Sequence, residues 1–334
     1  MAKASYLGID VGSISTKGVV TDQDFQIIAS TYLRTQGRPI QAIKELLNAL
    51  YQQIDPETII RGAGTTGSAR RLAGVMIQAD IVKNEIIAHA VAASHFYPDV
   101  RTVLEIGGQD SKIIILRDGI PVDFAMNTVC AAGTGSFLDH QATRLGIPIE
   151  EFGARALQAK NRVNIAGRCT VFAESDMIHK AQLGIATEDI VSGLCDAIVR
   201  NYMNAVAKGK EIKPLILFQG GVAANIGVRQ AFERTLEQEI IVPQHFLVMG
   251  AIGAAILAQE QTGIKDSATC TGHSALGTFQ KTSRFAGFET AEAPFQSRAF
   301  ECEGCPNRCE VIETLKEGKV IDRYGDRCGK WSEI

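Results

Sequence analysis

The chain has no strong charge of either sign and no long apolar run. Its 34 Lys and Arg stand against 37 Asp and Glu, a net charge of −3 over 334 residues, and aromatics make up only 6%. Binding to nucleic-acid phosphates calls for a basic stripe, with aromatics interleaved where bases stack. None is present, so no nucleic-acid partner is expected. No apolar stretch reaches the roughly 20 residues that span a bilayer, and the N-terminus runs straight into a strand-like segment without the h-region of a secretory signal. The expectation is a cytoplasmic protein with no membrane partner. In a reducing compartment eight cysteines serve as ligands, reactive thiols or packing groups, not as a disulfide framework. With 46% hydrophobic and 21% charged residues the chain can bury a large core, and its length points to two or three domains.

The most informative feature present is a repeat. IDVGSISTKGVV (Ile9 to Val20) and LEIGGQDSKIII (Leu104 to Ile115) each set an acid at the end of an apolar run, then glycine, a polar turn, a lysine and a second β-branched run. Both read as strand–turn–strand hairpins, with Asp10 and Glu105 equivalent. Gly12, Gly107 and Gly108, with the neighbouring Gln109, let backbone N–H groups approach phosphate oxygens, and Ser13, Ser15, Thr16 and Ser111 add hydroxyl donors. Asp10, Glu105 and Asp110 are oxygen ligands for magnesium, directly or through water. Lys17 and Lys112 can neutralise phosphate or pair with a carboxylate, and Lys17 is the one assigned to phosphate. If two similar domains face each other, these groups converge on a cleft suited to a magnesium nucleotide.

A third glycine-rich element, FQGGVAANIGVRQAF (Phe218 to Phe232), reads as strand, turn and helix. Gly220 and Gly221, with Val222 and Asn225, would bring backbone against an adenosine. From about Tyr6 to Gln261 the chain resembles the actin-like ATPase superfamily. The resemblance implies an α/β fold of two actin-like (ribonuclease H-like) ATPase domains around a nucleotide cleft. DVGSISTK and EIGGQDSK would be its phosphate motifs and FQGGVAAN its adenosine motif. Asn84-Glu85 looks like the first connecting segment, with Glu85 orienting or activating the attacking water beside the catalytic acids Asp10, Glu105 and Asp110. VMGAIGAAILAQE (Val248 to Glu260) looks like the second connecting helix, Gly250 and Gly253 allowing close packing between the domains. The expected division is 1–100 (subdomain I), 101–262 (subdomain II, its last helix packing back on subdomain I), 263–298 (linker) and 299–334 (a Cys-rich, metal-binding tail).

Cys195 and Cys270 read as packing or incidental residues. Cys130, in NTVCAAGTGSFLDHQA, and Cys169, in AGRCTVFAESDMIHKA, each precede a helix-like segment, where the positive helix end favours a thiolate and an anionic iron–sulfur cluster. Two cysteines are half of the usual four-thiolate set, and a two-fold dimer would supply the other half. These stretches, with GGQDSK and QGGVAAN, resemble the activator ATPases of 2-hydroxyacyl-CoA dehydratases. That BadF/BadG/BcrA/BcrD-type family also includes benzoyl-CoA reductase ATPase subunits and the ATP-dependent reductases of double-cubane cluster proteins. The resemblance implies a homodimer with one [4Fe–4S] cluster between subunits, carried over here onto Cys130 and Cys169. Gly133, Thr134 and Gly135 either bring amides to phosphate, the favoured reading, or turn the loop beneath the cluster. His179 reads as a helix-surface residue, and Arg70 and Arg71 as surface charges.

After Gln261 the apolar periodicity fades, and then Cys302, Cys305, Cys309 and Cys328 form a C-x2-C-x3-C run with a distant fourth cysteine. EVIETLKEGKVIDRYGDR between them reads as a hairpin turning near Gly318 and returning Cys328 to the other three. A metal would staple so short a segment, and zinc and a second iron–sulfur cluster both accept four thiolates. Shorter activators lack such a tail, which leaves docking platform, electron entry and structural clip open as its role. The function implied is an ATP-hydrolysing reductive activator that takes electrons from a ferredoxin or flavodoxin. It passes them, through its dimer-bridging cluster, to an iron–sulfur enzyme, either a 2-hydroxyacyl-CoA dehydratase or a double-cubane cluster protein. The alternatives are a sugar-type kinase with Asp110 as base, or an ATP-driven assembly switch.

Overall fold

The computed structural model describes residues 4–263 and 282–331; Cys270 lies outside them. The chain divides into two compact units, Met1–Ala88 with Gly250–Ile334, and His89–Met249. The first unit opens with β1 (Ala4–Val11), β2 (Ser15–Asp22), β3 (Ile27–Arg34), α1 (Pro39–Tyr51), β4 (Ile59–Thr66), α2 (Arg70–Ile77) and β5 (Ile81–Val82). α3 (Glu85–Phe96) leads into the second, which holds β6 (Thr102–Ile106), β7 (Ser111–Arg117), β8 (Ile120–Asn127), α4 (Gly135–Leu145), α5 (Ile149–Ala156), α6 (Thr170–Gln182), α7 (Thr187–Ala205), β9 (Ile216–Gln219), α8 (Ile226–Leu236) and β10 (Ile240–Ile241). The chain then returns to the first unit through α9 (Met249–Thr262) and ends in β11 (Phe295–Glu301), β12 (Glu310–Lys316) and β13 (Lys319–Tyr324).

The duplication read from two hairpins extends to two whole sheets, each α/β with mixed strands. One has the order β3-β2-β1-β4-β5 and the other β10-β9-β6-β7-β8. In each, three strands form an antiparallel meander and the first of them pairs in parallel with a later strand, β1 with β4 and β6 with β9. β1 and β6 are central and buried on both faces, which is why they read as apolar runs rather than alternations. α1 starts with Pro39 in its first turn, where the missing N–H costs nothing. It buries Ala42, Ile43, Leu46, Leu47 and Leu50, spaced three and four apart on one face.

The small residues of α9 meet glycines in the strands beneath them. A Cβ on Gly8 or Gly64 would overlap the carbonyls of Ala251 and Ala254, and one on Gly62 would stand 2.9 Å from that of Ala258. Gly253 lies against the backbone of Ala88 in the same way. These close approaches all fall inside the first unit. The core of the second unit gathers Phe137, Phe152, Tyr202, Phe218 and Phe232, with the Tyr202 and Phe232 rings edge-to-face at 5.2 Å.

Part of the stretch expected as linker is built into the first unit. Ser283 Oγ and the Arg284 N–H donate to the Asp80 carboxylate at 2.6 and 2.9 Å, and Phe285, Phe288, Ala291 and Phe295 pack on the first unit's core. Three aromatics scattered among polar residues carry no period of 2 or 3.6, so the sequence suggests only a linker with a short strand, and β11 does begin within it, at Phe295. The hairpin expected around Gly318 is present as β12–β13, and Glu317 and Gly318 both have positive φ, the geometry of a two-residue I′ turn. β11 adds a third strand in the order β11-β12-β13. Among the described residues no helix is long and apolar enough to cross a membrane.

Candidate functional site

The two hairpins have the same internal geometry. The Gly12 N–H donates to Ser15 O at 2.9 Å, and the Gly107 N–H to Asp110 O at 3.0 Å. Asp10 stands opposite Lys17 in the β1–β2 register, as Glu105 stands opposite Lys112 in β6–β7. Lys17 Nζ lies 3.0 Å from Asp10 Oδ2, while Lys112 Nζ lies 2.8 Å from both Glu105 Oε2 and Asp110 Oδ2. Each lysine therefore neutralises an acid of its own hairpin. Lys112 is 2% exposed and Glu105 5%, so this charge pair is well desolvated.

The other oxygens of the same acids face glycine backbone. A Cβ on Gly67 would come within 2.5 Å of Asp10 Oδ1; one on Gly220 would meet Glu105 Oε1 at 2.6 Å, and one on Gly107 would meet Asp110 Oδ1 at 2.6 Å. Gly67 follows β4, and Gly220 follows β9, the strands parallel to β1 and β6; both have positive φ, +91° and +88°. Gly67 is thus the counterpart of Gly220, and the sequence signal that could have found it is GTTGS standing where FQGG stands in the second copy. Carboxylates with one oxygen on a lysine and the other at a glycine cradle fit a hard cation bound through oxygen and water.

Other expected contact residues take different places. Thr16 is fully buried and its hydroxyl bonds Thr35 Oγ1 at 2.9 Å, so it braces the hairpin from behind. Ser13 and Gln109 are exposed, Gly12 and Gly108 half-buried and Ser15 buried. Ser111 is buried with its hydroxyl unpartnered among the described residues. Gly221 and Val222 lie in a 3-10 turn that leads to Asn225, the N-cap of α8, whose Oδ1 accepts from the Val228 N–H at 3.1 Å. Gln219, not anticipated, ends β9 with both amide atoms buried and unpartnered among the described residues. Glu85 opens α3. Arg70 is no simple surface charge, because its guanidinium holds Gly67 O at 3.0 Å; Arg71 lies over the Tyr324 ring at 5.6 Å.

The loop after Cys130 is latched to the second hairpin. Gly135 N–H donates to Gly107 O at 2.8 Å, and Ser136 donates to Gly108 O through both its N–H and its hydroxyl, at 2.8 and 2.6 Å. Thr134 N–H donates to Ala131 O. The amides of Thr134 and Gly135, favoured above for phosphate, are spent on holding this loop. Cys130 itself is fixed by Asn127, whose Oδ1 accepts its N–H at 3.0 Å and whose Nδ2 donates to its carbonyl at 2.8 Å.

Cys169 is the N-cap of α6, and α7 binds the two cysteine loops together. Asn201 Nδ2 donates to Ala132 O at 2.9 Å, two residues past Cys130, and also to Gly167 O, two residues before Cys169. The next residue, Tyr202, donates its hydroxyl to Lys112 O at 2.6 Å. From α4, Gln141 donates to Thr170 O, and His140 and Arg144 flank Glu174 at 2.7 and 3.0 Å. Asn201→Ala leaves both carbonyls without their amide donor. It should cost about 1–2 kcal/mol and raise the alkylation rates of Cys130 and Cys169, read by denaturant unfolding and peptide mass mapping. Unchanged rates at both thiols would show that the amide is no clamp.

Cys130 is exposed and Cys169 half-buried, both as free thiols, whereas Cys195 is buried and its thiol is pushed up to about 12 by burial. Apolar residues crowd the surface near the first two: Val129 is 96% exposed, Val171 66% and Phe172 69%. The edge strand β8, leading to Cys130, exposes Ile120, Val122, Phe124 and Met126, which alternate along it. Half a four-thiolate set amid unpartnered apolar surface fits a cluster completed by a second copy. His179 is exposed on α6. Among the described residues, no group of three or more His, Cys, Asp or Glu stands closely enough to hold a metal ion.

Comparison with known proteins places this geometry. The BadF/BadG/BcrA/BcrD ATPase family profile matches residues 7–258. The chain is 35% identical over 261 residues to the (R)-2-hydroxyglutaryl-CoA dehydratase activating ATPase of Acidaminococcus fermentans, a match covering 76% of this chain and 97% of that protein. It is 33% identical over 260 residues to the activator of lactoyl-CoA dehydratase of Anaerotignum propionicum, covering 76% and 97%. Among solved structures, the activator of 2-hydroxyisocaproyl-CoA dehydratase from Clostridium difficile with bound ADPNP superposes with a TM-score of 0.71 at 33% identity, covering 77% of this chain and 95% of that one.

Proposed function

Because the chain belongs to the BadF/BadG/BcrA/BcrD ATPase family, with the actin-like ATPase fold of its relatives, we propose that it is an ATP-hydrolysing reductive activator of an iron–sulfur enzyme. The observation that carries this reading is the latch of the Cys130 loop onto the Gly107–Gly108 turn, reinforced by Asn201 between the two cysteine loops. It ties a candidate phosphate hairpin to both candidate cluster ligands through a few short hydrogen bonds.

In this reading Gly12, Ser13, Ser15 and Lys17, with Gly107 to Gln109, Ser111 and Gly220 to Asn225, would take ATP or ADP, while Thr16 braces the first hairpin from behind. Asp10, Glu105 and Asp110 would hold magnesium, directly or through water, and Glu85 would orient the attacking water. The ADPNP-bound relative supports the nucleotide. Cys130 and Cys169 of two copies would hold one [4Fe–4S] cluster, which supplies a one-electron carrier when bound; the exposed apolar residues around them support a homodimer. A change at the γ-phosphate pulls on the Gly107–Gly108 carbonyls, and Gly135 and Ser136 carry that displacement to Cys130. Asn201 then moves the Cys169 loop with it, so both ligand loops respond as one body. The electron donor would be a ferredoxin or flavodoxin. The relatives' names point to a 2-hydroxyacyl-CoA dehydratase as acceptor, with a double-cubane cluster protein as the alternative acceptor.

The test is an anaerobic assay with a low-potential reductant, ATP and such an acceptor. Reduction of the acceptor should require hydrolysable ATP and stop with ADPNP. Hydrolysis with full partner binding but no electron passed, in iron-replete protein, would replace this reading by that of an assembly switch.

A further inference from the structure

The C-terminal segment lies beyond the family match, which ends at residue 258, and its topology brings four cysteines to one end of a small sheet. β11 and β12 are antiparallel, with Glu301 opposite Glu310 at that end, and β13 finishes there with Tyr324 opposite Ile312. Cys302 follows β11 directly, Cys305 lies in the connecting loop, Cys309 directly precedes β12, and Cys328 lies in the turn after β13. The Cys302 N–H donates to Cys309 O at 2.8 Å, which extends the ladder by one pair and sets these two residues face to face. Arg308 N–H donates to Cys305 O at 3.2 Å and closes the loop between them.

The last turn folds back onto the same end. Trp331 Nε1 donates to Cys302 Sγ at 3.1 Å, and its ring packs edge-to-face on Phe300 at 5.1 Å. Asp326 accepts the Trp331 N–H at 3.1 Å, with Cys328 Sγ 3.8 Å from the same Asp326 oxygen. Cys302 Sγ thus receives two N–H donors, Trp331 and, at 3.5 Å, the backbone of Gly304. That is the arrangement of a thiolate ligand, whose charge is spread into surrounding N–H groups.

Little else would fix these loops. The apolar side chains of the sheet, Val311, Leu315 and Phe295, are buried, but Cys305 and Cys328 are exposed, and 302–309 is almost entirely polar apart from Pro306. The four thiols are free, and each turns about one staggered torsion. The backbone brings the four together at one end, whereas the sulfurs do not yet stand at ligand distance from one another.

We propose that Cys302, Cys305, Cys309 and Cys328 hold one soft metal centre as four thiolates, each sulfur giving its proton to solvent as it takes the metal. Zinc and a [4Fe–4S] cluster share this ligand chemistry. The centre is independent of the nucleotide site and of Cys130 and Cys169, and it clamps β11, β12 and the turn after β13.

The test uses the full chain carrying Cys130→Ser and Cys169→Ser, purified anaerobically and analysed for zinc, iron and acid-labile sulfide. About one zinc, or about four iron with equal sulfide, should remain per chain and vanish when Cys305→Ser and Cys328→Ser are added. In the otherwise unaltered chain, alkylation followed by peptide mapping should find these four cysteines protected together and released together by a chelator. Less than about 0.1 metal per chain after both zinc and iron–sulfide reconstitution, or four thiols that alkylate independently with and without chelator, would overturn the proposal.

Discussion

Under the proposed function, Cys130→Ser and Cys169→Ser should each strip the iron assigned to the cluster between two copies. Anaerobically purified protein should fall from about four iron and four sulfide per dimer to near zero above whatever the C-terminal cysteines hold. ATP-dependent reduction of the acceptor should fall with it, by more than about a hundredfold, because no electron carrier remains. Neither change touches a core, since Cys130 is exposed and Cys169 half-buried at an N-cap, so nucleotide affinity and the unfolding midpoint should stay near those of the parent. Cys195→Ser is the control with the opposite signature. That thiol is fully buried and protonated at any working pH, so a hydroxyl there should cost stability, by about 1–2 kcal/mol, and leave iron unchanged. Iron unchanged in both the Cys130 and the Cys169 variants would remove the cluster from this site, whatever the ATPase rate. The C-terminal tail must be varied separately, because its four cysteines add metal of their own under the inference above.

The two glycine hairpins and the placing of both cysteines just before helices were legible in the sequence because each rests on short-range pattern. A strand–turn–strand signal and a thiol before a helix lie within some ten residues. What the sequence did not disclose depends on long-range packing. Asn201, near the C-terminal end of an amphipathic helix, looks like any polar helix residue until its amide is found between the carbonyls of Ala132 and Gly167. Ser136 in AAGTGSF reads as a helix start, and only the fold shows that its partner is Gly108. Thr16 looks like a hydroxyl donor by its place in the hairpin, but β-strand alternation turns it inward to Thr35. Gly67 escaped notice because Ser68 follows it, whereas its counterpart Gly220 is followed by a second glycine. Ile120, Val122, Phe124 and Met126 alternate along β8, and that the face they share is left uncovered is a matter of packing that no local pattern gives.

Lys112→Met should strongly destabilise the second unit. Lys112 is 2% exposed and sits 2.8 Å from both Glu105 and Asp110. Removing it strands a buried carboxylate beside a second one, a loss of about 3–5 kcal/mol, measurable as a lowered denaturant midpoint with unchanged slope. Lys17→Met should cost less, because Lys17 is 18% exposed and water can solvate what is left. The double variant Lys112→Met with Glu105→Leu separates structure from chemistry. Replacing both partners of a buried pair by apolar groups is far cheaper than removing one, so stability should return by at least half of the single-variant loss, with Asp110 left partly solvated. Nucleotide hydrolysis should not return, because the carboxylate assigned to magnesium is gone. A double variant that regains stability and hydrolysis together would free Glu105 from any catalytic role and leave the pair as scaffold for the Gly107–Asp110 turn. One that regains neither would show that Asp110, now without its lysine, cannot be carried by solvent at this site.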